Sequence, residues 1–104
     1  MKKIMLVCAA GMSTSLLVTK MEQAAKAQGE EVEINALPIT DGMKHFAEVD
    51  CILLGPQVRY LKKDVEKELA EKGLNVPFDI IEMKDYGTMN GEKVYAFAKK
   101  LMGE

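Results

Sequence analysis

The sequence predicts an α/β fold: an open four-stranded parallel sheet in the spatial order 2-1-3-4, with helices on both faces. Three observations carry this. Short strand-like runs alternate with segments of helical period, which requires parallel strands joined by right-handed crossovers. Two of the runs, Lys3-Ile4-Met5-Leu6-Val7-Cys8 and Cys51-Ile52-Leu53-Leu54, are almost wholly apolar, as strands covered on both faces must be. The other two carry edge marks, alternation in Val32 to Ala36 and Pro77 at the start of the last. Apolar strands belong in the centre, so strands 1 and 3 are neighbours and the switch point falls between them.

Taken in order, strand 1 ends at Cys8, where Ala9-Ala10-Gly11 opens a loop. Ser13 or Thr14 can cap the helix that follows, with Leu17, Met21, Ala24, Ala25 and Ala27 on its apolar side and Gly29 as its stop. Val32, Ile34 and Ala36 alternate with Glu31, Glu33 and Asn35, giving strand 2 one wet face until Pro38 ends it. Thr40-Asp41-Gly42 starts a short helix reaching Phe46. Strand 3 is closed by Gly55-Pro56, and Val58, Leu61, Val65 and Leu69 recur at helical spacing up to Gly73. Strand 4 is expected over Val76 to Met83. A last helix follows Asn90-Gly91 with Val94, Phe97, Ala98 and Leu101 on its inner side.

The 104 residues fit one domain and are too few for a two-domain enzyme. With 14 Lys and Arg against 16 Asp and Glu, the formal charge is −2 and no basic stripe exists to neutralise nucleic-acid phosphates. Lys2 and Lys3 followed by Ile4 to Val7 resemble a secretory start, but that apolar stretch is shorter than a signal needs, about seven residues. No run approaches the ~18 apolar residues of a membrane span. The expected location is the cytoplasm, where Cys8 and Cys51 stay thiols.

Ligands of open parallel sheets bind beyond the carboxyl ends of the strands at the switch point, and Cys8 ends strand 1 there. The segment Cys8-Ala9-Ala10-Gly11-Met12-Ser13-Thr14-Ser15 is a loop of mostly small residues opening a helix. Such a loop can turn successive backbone N–H groups toward one anion, with the positive end of the helix behind them. Gly11 permits close approach, and the hydroxyls of Ser13, Thr14 and Ser15 add donors. The same groups favour thiolate over thiol, so Cys8 is expected to be a nucleophile toward phosphorus.

Tyrosine phosphatases of the low-molecular-weight class carry a similar cysteine loop on a similar sheet, with the pattern C-x5-R-[ST]. Here Thr14 stands at the arginine position and only Ser15 agrees. Without a guanidinium clamp, phosphoryl transfer to water loses its bidentate stabilisation. The residues therefore favour a carrier that keeps its phosphoryl group over a phosphatase or arsenate reductase, while a flavodoxin-like loop on a flavin phosphate is the binding-module rival.

The run Cys8 to Val18 resembles the signature of the IIB components of the bacterial sugar phosphotransferase system, of the lactose/cellobiose (chitobiose) family. Leu54-Gly55-Pro56-Gln57-Val58 and Asp85-Tyr86-Gly87-Thr88-Met89-Asn90-Gly91 agree with it as well. The resemblance spans the chain as a single IIB domain, residues 1–104, with Ala9 standing where some relatives carry Ser. It implies that Cys8 takes a phosphoryl group from a histidine of a IIA component and passes it to a sugar held by a membrane-embedded IIC component. The family handles β-linked disaccharides such as cellobiose, chitobiose or lactose. No cofactor or metal is implied.

Other residues have humbler expected roles. Cys51, at the far end of strand 3, is a packing residue about 10 Å from Cys8. His45, the only histidine, lacks ligand spacing to either cysteine and reads as a surface residue. Asp85 either approaches the mouth of the site as a proton donor or serves as a turn residue. Gln57, Arg59 and Tyr60 follow strand 3 beside the switch point and are candidates for the mouth or for docking. Of the eight methionines, Met12 and Met89 are expected, with Ala9, Ala10 and Val58, to form an apolar collar around Cys8.

Overall fold

The computed structural model describes residues 1–8 and 15–104. Its elements are β1 (Lys2–Cys8), α1 (Ser15–Ala27), β2 (Val32–Pro38), α2 (Ile39–Gly42), β3 (Cys51–Leu54), α3 (Lys62–Glu71), β4 (Phe78–Ile80), α4 (Met83–Gly87) and α5 (Gly91–Leu101). Two 3₁₀ turns, Met43–Glu48 and Pro56–Leu61, precede β3 and α3. The sheet is parallel throughout and ordered β2-β1-β3-β4, as the apolar runs predict. Cys8 lies opposite Pro38 of β2, and Val7 lies opposite Leu54 of β3.

The two faces of the sheet carry separate cores, because successive side chains along a strand point to opposite sides. Ile4 and Leu6 of β1, with Cys51 and Leu53 of β3, pack against Leu17, Met21 and Ala25 of α1 and Val94, Tyr95 and Ala98 of α5. Met5, Val7, Ile52 and Leu54 face the other way, onto Phe46, Val58, Leu61, Val65 and Leu69. Leu17, Met21, Phe46, Ile52, Leu53, Leu54 and Val65 are fully buried. Each such side chain contributes on the order of 1.5–3 kcal/mol through removal of its surface from water. Helices α1 and α3 are followed by Gly29 and Gly73 at φ +73° and +65°, the left-handed exit expected of the two stop residues.

Four expectations change in detail. Strand 4 covers only Phe78–Ile80 instead of Val76 to Met83, since it pairs with the four-residue β3 and no ladder outlasts its partner. Single hydrogen bonds flank it, from Ile52 N–H to the Pro77 carbonyl and from Ile81 N–H to the Leu54 carbonyl, before the chain enters α4. The segment after Gly55 begins as a 3₁₀ turn with Pro56 in its first turn and a non-helical Val58 at φ −116°, ψ 23°, yet Val58, Leu61, Val65 and Leu69 are buried on one side as their spacing predicts. The short helix from Thr40 likewise divides, into α2 and the first 3₁₀ turn. Helix α5 turns its predicted side inward, with Val94 and Ala98 buried and Phe97 and Leu101 packed against the same core, and adds Tyr95, which is buried with its hydroxyl donating to Glu30 Oε1 at 3.0 Å. The predicted caps Ser13 and Thr14 lie outside the described residues.

Candidate functional site

Cys8 is the last residue of β1 and is 8% exposed, at the carboxyl end of a central strand. Its neighbours across the switch point are fixed by the ladder: Val7 pairs with Leu54, and the Gly55 N–H donates to the Val7 carbonyl at 3.0 Å. Alternation along β1 carries the Cys8 side chain to the α1–α5 face, together with Ile4 and Leu6. Ser15 opens α1, its carbonyl accepting from the Thr19 hydroxyl at 3.0 Å. The predicted anion loop residues Ala9, Ala10, Gly11, Met12, Ser13 and Thr14 lie outside the described residues. A buried thiol and the start of a thirteen-residue helix nonetheless stand on either side of that segment, at the crevice where open parallel sheets bind ligands.

Tyr86 is a residue of this region whose part the sequence does not single out. It sits in α4, is 5% exposed, and packs on the same face of the sheet as Ile4 and Leu6. Its ring edge lies 3.6 Å from the point where a Cβ on Gly55 would stand, and the Val7 carbonyl oxygen is equally close to that point. Burial, and then the charge of the Cys8 sulfur, hold its phenol above the ordinary range. In the sequence Tyr86 figures only within the run Asp85 to Gly91, with no role of its own. Only the turn into α4 brings it over Gly55 and toward Cys8.

The other candidates divide. Gln57, Arg59 and Tyr60, with Pro56 and Met83, line one groove of about 420 Å³ at the carboxyl end of the sheet. Tyr60 and Met83 are well exposed there, as is Leu16 in the first turn of α1. Asp85 is half-buried within α4, and its backbone carbonyl accepts from the Asn90 N–H at 2.9 Å, which is a turn function. Of the two collar residues described, Met89 packs on the Cys8 face, whereas Val58 is buried on the opposite one with Met5 and Val7. Helical spacing identified Val58 as inward-facing but could not select a face of the sheet. Cys51 is fully buried and pairs in register with Ile4, four residues before Cys8. Burial, reinforced by the nearby Asp50 charge, pushes its thiol up to about 12. His45 is on the surface, its Nδ1 2.7 Å from Glu48 Oε2.

A parallel doubly wound domain with a buried cysteine at its switch point and a helix beginning at Ser15 defines the class. Among known families, residues 3–97 match the model of the PTS system lactose/cellobiose-specific IIB subunit. The chain belongs to this family, whose members are phosphotransferases. It is 48% identical to the galactose-specific EIIB component of Lactococcus lactis subsp. cremoris, over 97% of this chain and 96% of the relative. It is 43% identical to the oligo-beta-mannoside-specific EIIB component of Bacillus subtilis, over 98% and 97% respectively. The solution structure of a cellobiose-specific IIB component from Borrelia burgdorferi superposes with a TM-score of 0.80 at 41% identity, covering 98% of this chain and 92% of that one. Among the described residues, no helix is long and apolar enough to cross a membrane.

Proposed function

We propose that this protein is a cytoplasmic phosphocarrier whose single domain, residues 1–104, takes a phosphoryl group onto Cys8 and passes it to a sugar. The observation that carries the reading is the position of Cys8, a buried thiol ending a central strand at the switch point of a IIB-family fold. In the first step the Cys8 thiolate attacks the phosphorus of a phosphohistidine on a IIA component. The S–P bond forms, the P–N bond breaks, and the imidazole leaves with its electron pair and picks up a proton as needed. In the second, a hydroxyl of a sugar held by a membrane-embedded IIC component attacks the same phosphorus. The S–P bond breaks, the thiolate is restored, and the hydroxyl proton goes to a base beside the sugar.

Amides of Ala9, Ala10, Gly11, Met12, Ser13, Thr14 and Ser15 spread the charge of the transferring group. Thr14 rather than Arg at the clamp position lets the group be held without being delivered to water, which suits a carrier between two acceptors of similar standing. The sugar is a β-linked disaccharide of the cellobiose, chitobiose or lactose kind. The relatives' names span galactose, oligo-β-mannosides and cellobiose at 43–48% identity, as they would if the sugar were chosen elsewhere than on the carrier. Intact-mass measurement after incubation with phosphorylated IIA tests the reading. Wild type gains one phosphoryl mass and Cys8→Ser gains none; a phosphorylated Cys8→Ser protein would overturn the assignment.

A further inference from the structure

We propose that Tyr86 is a second catalytic residue of the transfer site, its hydroxyl donating a hydrogen bond to a phosphoryl oxygen of phosphorylated Cys8. The inference rests on the phosphocarrier reading above and adds to it a named side-chain donor outside the loop that follows Cys8.

Three placements carry it. Cys8 and Tyr86 share a face of the sheet, the first by the alternation that puts Ile4 and Leu6 there and the second by packing in that same core. They also share its carboxyl end: Cys8 closes β1, while the Tyr86 ring edge approaches Gly55, the residue that closes β3 and whose N–H bonds to Val7. Finally, the ring is clamped. Tyr86 is 5% exposed, and its helix is pinned by Tyr86 N–H on the Glu82 carbonyl at 3.0 Å and Met89 N–H on the Tyr86 carbonyl at 3.1 Å. A phenol fixed in that way has little rotamer freedom to lose when it donates.

The chemistry suits a carrier. An ordinary phenol already keeps its proton at neutral pH, and burial holds this one higher still, so it is an O–H donor when a phosphoryl group is bound. A neutral donor stabilises an oxyanion without the long-range pull of a guanidinium. It fits a site whose clamp position is Thr14, where the phosphoryl group must leave again for the next acceptor. The bare alternative is that Tyr86 merely fills the core, and Phe would then serve equally well.

The experiment compares wild type with Tyr86→Phe, which keeps the ring and its contact with Gly55. Both are mixed with phosphorylated IIA in single-turnover rapid quench, read by intact mass, and the phosphorylated forms are examined by phosphorus NMR. The expected result is a rate of phosphoryl gain lower by roughly ten- to a hundredfold, the size of one hydrogen bond to a charged group, with a displaced phosphocysteine resonance. Equal rates and an unmoved resonance would overturn the role of Tyr86. If wild-type Cys8 gains no phosphate, the phosphocarrier reading falls and this role with it. A second measurement needs no variant: on phosphorylation of wild type the ring resonances of Tyr86 move, while those of Tyr95, bonded to Glu30 at the opposite end of the sheet, stay. An unmoved Tyr86 ring also overturns the proposal.

Discussion

Replacing Gly91 with Ala should destabilise the protein through one contact, and the size of the effect can be worked out from the structure. Gly91 is the buried first residue of α5, where it presses on the backbone of α1. A Cβ there would stand 2.4 Å from the Lys20 carbonyl carbon, 2.5 Å from Lys20 Cβ and 2.6 Å from the Met21 nitrogen. Carbon atoms prefer separations of about 3.5–4.0 Å, so the helices must part by roughly 1 Å. The obstacles are main-chain atoms in mid-helix beside the fully buried Met21, and they cannot swing aside. Overpacking of this kind costs about 1–3 kcal/mol, and main-chain obstacles put it near the upper end. Against this stands about 0.4–1 kcal/mol gained because Ala has fewer unfolded conformations than Gly. The net loss is about 2 kcal/mol, or roughly 10 °C in thermal midpoint for a domain of this size.

Gly87→Ala supplies the control. Gly87 closes α4, is exposed, and has no atom within 4 Å of its would-be Cβ. Only the entropic gain acts there, so the midpoint should rise by a few degrees. Thermal unfolding of the three proteins followed by circular dichroism at one protein concentration measures both shifts. A Gly91→Ala midpoint at or above wild type would refute the close-approach argument, as would equal shifts in the two variants.

Two further predictions concern the acid limb of stability and the reactivity of the two thiols. The Glu30 carboxyl is held below its ordinary range, first by its hydrogen bond from Lys99 and then by that from Tyr95. A carboxyl lowered by folding stabilises at neutral pH, and the benefit is lost as pH falls through the carboxylate range, about 4 and below. The thermal midpoint of wild type should therefore exceed that of Glu30→Gln at pH 7 and converge toward it in acid, and a gap that stays constant with pH would refute this. Iodoacetamide should alkylate Cys8 and spare Cys51 in the folded protein, because Cys51 is fully buried with its thiol pushed up to about 12. Both should react in denaturant; equal native rates at the two cysteines, read by peptide mass, would count against the assignment of roles.

The order of the strands was legible because the physics that sets it is local. A strand covered on both faces must be apolar at every position, and only Ile4 to Cys8 and Cys51 to Leu54 satisfy that. The same holds for Leu17, Met21 and Ala25, whose helical spacing alone identifies the inner side of α1. Illegible features depend on contacts made across the chain. The length of β4 is limited by its partner, and the burial of Tyr95 goes with a bond to a residue 65 positions earlier. Spacing showed Val58 to be inward-facing, but which face it joins is a property of the assembled sheet. The candidate site divides in the same way: the run from Cys8 to Ser15 stands out in the sequence as a contiguous motif, of which Cys8 and Ser15 are among the described residues, whereas the approach of Tyr86 to Gly55 is visible only in the fold.

The stretch Asp85 to Gly91 then acquires a physical reason for its composition. Each residue with a visible task acts on the Cys8 face of the sheet or closes the turn that makes this possible. Tyr86 lies against Gly55, and the Asp85 carbonyl takes the Asn90 N–H. Met89 adopts φ +51°, unusual for a residue with a side chain, to reverse the chain between α4 and α5. Asn90 caps α5 by accepting from the Lys93 N–H at 3.1 Å, and Gly91 lets α5 come down onto Lys20 and Met21. Through that contact the same segment also seats α1, which begins at Ser15. One short segment, distant in sequence, thus sets both the aromatic against Gly55 and the seat of α1. Substitutions in the core of the opposite face, at Phe46 or Val65, should therefore lower stability while leaving phosphoryl transfer by the folded fraction intact, and changes at Gly91 should disturb both.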